Sequence, residues 1–250
     1  MEEKYIVKSL VKAVNLLECF SVQQPELGVT EIAKKLELQK STVFNILTTY
    51  ESLGYVVQNP QNGKYHLGLK VLHLGYIVNH HMGLREMFLP YLCQIAAETQ
   101  ETCYFGILDQ QEVLYIEAAA PSGQANTRNI LGERAPLYCT GLGKAMLAHL
   151  PEEEQEEILL KDMRRYTDYT LTTAQALRTQ LKNIREQGYS IDDMEHEWGI
   201  RCIAVPVFGA NGQVFAAVSV SGPSVRFNQD TFRQHADTIR RILKPLQNCL

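Results

Sequence analysis

The chain has 250 residues, 45% hydrophobic and 21% charged, the make-up of a soluble globular protein with room for one large domain or two small ones. No apolar run reaches the roughly 18 residues of a membrane helix, and the opening MEEKYIVKSL is too acidic and mixed for a secretory leader, so a cytoplasmic protein is expected. The net charge of −4 divides into +1 over residues 1–79 and −5 over residues 80–250, which leaves room for a small N-terminal DNA reader.

Ser9 is placed to cap a first helix with Leu10, Val14 and Leu17 at helical spacing, flanked by Val11 and Leu16. After the loop QQPELG, Thr30 is expected to cap a short helix with Ile32, Ala33 and Leu36 inward, ended by a tight break at Glu37-Leu38-Gln39. The segment KSTVFNILTTYESLGYV predicts a third helix. Val43, Ile46, Leu47 and Leu53 face its core side, and Ser41, Thr42, Asn45, Thr48 and Thr49 are left outside. Two short β-rich runs then flank Asn62-Gly63, a hairpin signal. Helix, helix, turn, helix and hairpin in this order make a winged helix-turn-helix over residues 1–67. Its small polar outer face suits a major groove about 12 Å wide. Ser41, Thr42 and Asn45 are the candidates for base edges and nearby phosphates, and Lys40 and Lys64 for phosphates.

Residues 68–82 predict a connecting helix, its apolar side running through Leu67, Val71, Leu74 and Val78. Residues 83–250 alternate helices with hairpins: CYFGIL and VLYIEAAA across Asp109-Gln110-Gln111, and RCIAVPVF and VFAAVSVSG across Asn211-Gly212. Helices are expected over 84–99, TGLGKAMLAHL, TTAQALRTQLKNIREQG and 228–246. The fold class is therefore α+β, on an antiparallel sheet. Six cysteines lie far apart with no C-x-x-C pair, as reduced thiols do; neither a zinc finger nor a disulfide framework is expected.

Seven stretches stand out as whole motifs: SLVKAVNLLECF, VTEIAKKL, KSTVFNIL, LGYV, YHLGLKVLHLG, TGLGKAMLA and VSVSGPSVRF. A signature also runs through Gly188, Asp192, Glu195, Cys202-Ile203-Ala204 and Val207-Phe208. In these the chain resembles the IclR family of bacterial transcription regulators. Three features depart from the pattern. Glu37 and Gln39 stand where the turn usually carries Gly and Pro, Asn45 where Arg is frequent, and Gly209 where Asp or Asn is usual. The resemblance implies a GAF-like C-terminal effector domain and a homodimer or homotetramer that binds double-stranded operator DNA. It also implies which residues line the effector pocket: Thr140, Gly141, Leu142, Asp192, Cys202, Ser219 and Ser221.

The residue types fit a pocket. Ser219 and Ser221, two apart in a strand, point to one face, as do Cys202 and Ala204 next door. Thr140-Gly141-Leu142 opens a helix, whose unpaired N–H groups favour an anion. Asp192 repels a bare anion but accepts a hydrogen bond from a hydroxyl, so a small oxo- or hydroxy-carboxylate is the expected effector class. A competing reading makes Cys202, His196 and Asp192 a nucleophile, base and orienter in a small-molecule enzyme; an apolar strand is poor ground for a reactive thiol. GLGK at 141–144 has Tyr138 and Ala145 where a phosphate loop needs Gly and Ser/Thr. His73, His80 and His81 do not make a metal site, because adjacent helix residues point apart. No metal or cofactor is expected.

Overall fold

The structure, a computed structural model, describes residues 6–121 and 130–246, and the chain divides into two units, Met1–Gly83 and Leu84–Leu250. The first contains α1 (Lys8–Leu17), α2 (Val29–Leu36), α3 (Lys40–Ser52), the hairpin β1 (Val56–Gln58) and β2 (Tyr65–Leu67), and α4 (Leu69–Met82). Its core gathers Leu16, Ile32, Val43, Leu47, Val56 and Tyr65, one or two from each of the first five elements, with Leu27 from the loop before α2. On α3 the inner residues Val43, Ile46, Leu47 and Tyr50 follow the i, i+3, i+4, i+7 spacing of one helical face.

Several local expectations are corrected. Ser9 lies inside α1, which begins after Val7, and Gly28 rather than Thr30 stands at the N-terminus of α2. There the Glu31 carboxylate accepts the Gly28 N–H at 2.7 Å, so the cap comes from inside the first turn. Leu53 is 51% exposed, because the helix has already ended at Ser52. Of the α1 stripe only Leu16 is buried; Leu10, Val11 and Val14 are exposed, as are Leu69, Leu72, Leu74 and Val78 of α4.

The second unit is a six-stranded sheet in the order β5-β4-β3-β8-β7-β6, every neighbour antiparallel. The strands are β3 (Thr102–Asp109), β4 (Glu112–Ala119), β5 (Arg134–Pro136), β6 (Ser190–Asp193), β7 (Ile200–Phe208) and β8 (Val214–Pro223). Helices α5 (Leu84–Thr99) and α9 (Gln229–Leu243) pack against this sheet, as does α6 (Gly141–Leu147). Phe88 of α5 stacks on Phe105 of β3 with ring centroids 4.0 Å apart, an aromatic pair worth about 0.5–1.5 kcal/mol beyond its buried area. Helix α7 (Glu152–Leu159) and α8 (Ala174–Gln187) complete the unit, with α8 on α6. The sequence reading missed β5, α7 and β6: two are strands of three and four residues, and the third is an acid-rich helix with only Ile158 and Leu159 buried.

Candidate effector site and nucleic-acid interface

Strand register assembles the first site. Asp192 of β6 is paired with Cys202 of β7, Cys202 with Ser221 of β8, and Ser221 with Thr102 of β3. The neighbouring row is Ser190, Ala204, Ser219 and Tyr104. Residues two apart share a face, so both rows lie on the same side of the sheet. The opening of α6 lies on that side: a Cβ on Gly141 would stand 3.1 Å from the Cys202 Cβ and 3.6 Å from that of Ala204. Gly141 thus seats α6 on β7. Gly143 is tighter still, its missing side chain replaced by the Leu137 backbone at 2.5 Å.

Thr140 caps α6. Its hydroxyl accepts the Gly143 N–H at 3.1 Å and donates to the Pro136 carbonyl at 2.8 Å. Ser190 ties the helix start to β6, donating to the Gly141 carbonyl at 2.5 Å. Leu142 is buried, its side chain under Gly106 of β3. All seven expected pocket residues therefore fall within one neighbourhood, built from α6, β6, β7 and β8.

Two further residues belong to it that the sequence reading did not assign. Lys144, one turn beyond Gly141, is wholly buried and forms an ion pair with Glu195, in the turn after β6. Glu195 in turn donates its backbone N–H to Asp192 Oδ1 at 2.8 Å, and its carbonyl accepts the Thr170 hydroxyl at 2.6 Å. The second carboxylate oxygen of Glu195 has no hydrogen-bond partner among the described residues. Burial drives the Asp192 carboxyl up to about 7; Glu195 adds to the rise, while Lys144 and the N–H groups of Glu195 and His196 restrain it. Asp192 can thus stand in either protonation state at neutral pH. The signal for Lys144 was present in the sequence, since a lysine amid GLGKAMLA has no solvated face to occupy.

The catalytic reading of Cys202 meets the opposite of what it needs. Burial, then the Asp192 charge, push its thiol well above the ordinary range, and its sulfur accepts the Ser221 hydroxyl at 2.8 Å. His196 packs on Tyr166, ring centroids 5.0 Å apart.

In the N-terminal unit, Ser41, Asn45, Thr48 and Thr49 are exposed on α3 and Thr42 is half-buried. Lys40 opens the helix, and no side chain caps it there. Lys64 of the wing donates to Glu31 of α2 at 3.0 Å. Glu26 grips the wing with both oxygens, accepting Asn59 Nδ2 at 3.0 Å and Asn62 Nδ2 at 2.8 Å. The hairpin is thereby fixed to the loop before α2. Among the described residues no group of three His, Cys, Asp or Glu side chains is placed to hold a metal, and no helix is long and apolar enough to cross a membrane.

Known proteins share this layout. Residues 76–245 match the family model for the bacterial transcriptional regulator IclR C-terminal domain, and residues 9–60 the IclR helix-turn-helix domain. The chain is 37% identical over 219 residues to the HTH-type transcriptional regulator XynR of Escherichia coli, covering 86% of each. It is 36% identical to the HTH-type transcriptional regulator KdgR of Dickeya chrysanthemi, over 92% of this chain and 75% of that one. An IclR transcriptional regulator from Alicyclobacillus acidocaldarius superposes with a TM-score of 0.86 at 26% identity, over 98% of this chain and 99% of that one. An IclR homologue from Microbacterium hydrocarbonoxydans, complexed with 4-hydroxybenzoate, superposes with a TM-score of 0.79 at 26% identity, over 95% and 99%.

Proposed function

The chain belongs to the IclR family of bacterial transcriptional regulators, and from that membership we propose how it reads DNA and what it senses. It is a ligand-responsive DNA-binding regulator and not an enzyme, with a winged helix-turn-helix followed by a GAF-like effector domain. Helix α3 enters the major groove of the operator. Ser41, Thr42 and Asn45 meet base edges or flanking phosphates, while Lys40 and Lys64 meet phosphates. One such unit buries only about 600–1,000 Å² of its surface on DNA, so two copies are needed for a tight specific complex. The exposed apolar residues of α4 and α1 are the surfaces on which a homodimer, or a pair of dimers, joins. Operator DNA places the protein in the cytoplasm.

The effector is a small oxo- or hydroxy-carboxylate held by Thr140, Gly141, Leu142, Asp192, Cys202, Ser219 and Ser221. The observation that carries this is the buried Asp192 beside the opening of α6, whose carboxyl titrates near 7. Neutral, it donates to a carboxylate; charged, it accepts from a hydroxyl. The relative bound to 4-hydroxybenzoate, an acid with a hydroxyl, supports the class.

The test is DNA binding with and without an effector first found by thermal shift among small acids. Asp192→Ala and the double variant Ser219→Ala/Ser221→Ala are expected to lose the effector response and keep the effector-free DNA affinity. Coupling of about 1–3 kcal/mol passes only through a ligand that prefers one conformation. Cys202→Ser is expected to keep the response. Effector-free DNA binding that collapses in Asp192→Ala would remove the residue from sensing.

A further inference from the structure

The outer stripe of α3 runs Ser41, Phe44, Asn45, Thr48, the same i, i+3, i+4, i+7 spacing as the inner one, and all four are exposed. Three are the small polar residues expected of a base-reading face. Phe44 is not. It is 52% exposed while its chain neighbour Val43 is completely buried, so the core takes nothing from it that the inner stripe does not already supply. Its direction is fixed by the helix, because Val43 and Leu47 lock the rotation of α3 against the core. A ring held at that place, beside Asn45, cannot hydrogen-bond to a base edge. It can only cover apolar surface, and the one apolar group displayed in the major groove of unmodified DNA is the 5-methyl of thymine.

We propose that Phe44 is a specificity-determining residue that packs on a thymine methyl next to the base contacted by Asn45. The inference rests on the reading of α3 as the recognition helix. It adds that each half-site carries an obligatory thymine, recognised by apolar contact and not by hydrogen bonding. Asn45, with a side-chain amide able to pair bidentately with adenine, and Phe44, suited to thymine, together favour an A·T-containing step at the centre of each half-site.

The experiment uses the full-length protein and duplexes selected by it from a random library. Each thymine of the selected site is replaced in turn by deoxyuridine, which removes the methyl and keeps pairing. Loss of one buried methyl is expected to weaken wild-type binding about fourfold at one position per half-site. Phe44→Ala, which alters an exposed position and is checked for an unchanged Tm, is expected to bind the thymine duplex about tenfold more weakly. At that same position it should respond less than twofold to deoxyuridine. Phe44→Leu, still apolar, should recover most of the methyl sensitivity. A Phe44→Ala protein that remains fully sensitive to deoxyuridine, or a selected site with no thymine in its half-site centre, overturns the proposal while Asn45→Ala still weakens binding. If neither Phe44→Ala nor Asn45→Ala changes affinity, the assignment of α3 as the reader fails first, and this inference with it.

Discussion

Lys144 and Glu195 form an ion pair sealed from solvent, their side chains 0% and 3% exposed, that joins helix α6 to the turn after β6. The pair also sets the local electrostatics, because Lys144 is the cation that offsets two buried carboxyl groups, Asp192 and Glu195. Lys144→Met fills the volume but strands both acids. It is expected to cost about 3–5 kcal/mol at pH 8, the usual loss on breaking a buried pair, and less at pH 6, where Asp192 takes up a proton. Lys144→Met/Glu195→Leu should recover most of that loss. Urea unfolding of the three proteins measures it, and a double variant no better than the single would show that packing, not charge, is what Lys144 supplies.

The pH dependence of Asp192 has a definite sign. Its carboxyl lies at about 7 in the folded protein against an ordinary 3.8, so between these values the folded state holds a proton that the unfolded chain has released. The stability linked to this group is therefore complete below about pH 4 and is lost as pH rises through about 7. Asp192→Asn, which cannot ionise, should gain in Tm relative to wild type between pH 5.5 and pH 8. A carboxylate effector that needs neutral Asp192 should bind up to about tenfold more weakly per pH unit above 7. A flat affinity between pH 6 and 8.5, with the effector fully ionised throughout, contradicts that arrangement.

Lys64 is not idle in the free protein, since Glu31 holds it at 3.0 Å. Both partners are substantially exposed, so solvent screens the pair and a phosphate can readily displace it. Lys64→Ala should weaken all DNA sequences alike and lower the slope of log affinity against log salt by about one. Glu31→Gln keeps an acceptor for the Gly28 N–H but frees Lys64, and should tighten all DNA by roughly threefold. Electrophoretic mobility shifts at several salt concentrations read both. Weakened binding by Glu31→Gln would mean that the pair holds the wing in its working position.

Glu37 ends α2 at φ 55°, a left-handed conformation that costs a side-chain-bearing residue about 1–2 kcal/mol. Glycine has no such penalty, though its freer unfolded chain offsets part of the gain. Glu37→Gly should therefore stabilise the N-terminal unit by about 0.5–1 kcal/mol, visible as a higher Tm with no change in operator specificity. A lower Tm would mean that the Glu37 side chain contributes more than its backbone loses.

The order of elements was legible because periodicity and turn residues are local. Val43 and Leu47 mark the inner face of α3, and Asn62-Gly63 marks the wing. Helix starts were misread where the cap came from an unexpected place, as when Glu31 reached back to Gly28. Short edge strands were missed because three or four residues show no period. The neighbourhood of Asp192, Cys202 and Ser221 was named through family resemblance, and strand register shows why those residues meet. Lys144 went unassigned because its partner Glu195 is 51 positions away, and only the folded chain brings them together. Phe44 was passed over because the other apolar residues of α3, Val43, Ile46, Leu47 and Tyr50, do face the core.

The two parallel rows of the effector face also bear on how such a protein can change over time. Each strand contributes residues from one side only, and their chain neighbours Ile203, Val220 and Cys103 are fully buried in the core. Exchanging Ser219 or Cys202 alters the chemistry offered to a ligand while the residues that hold the sheet together stay as they are. A one-residue insertion within β7 would instead turn the whole strand over, putting core residues on the ligand side and Cys202 in the core. Lineages can therefore drift in what they sense by substitution along these rows, while changes in length are tolerated only in the connections between strands.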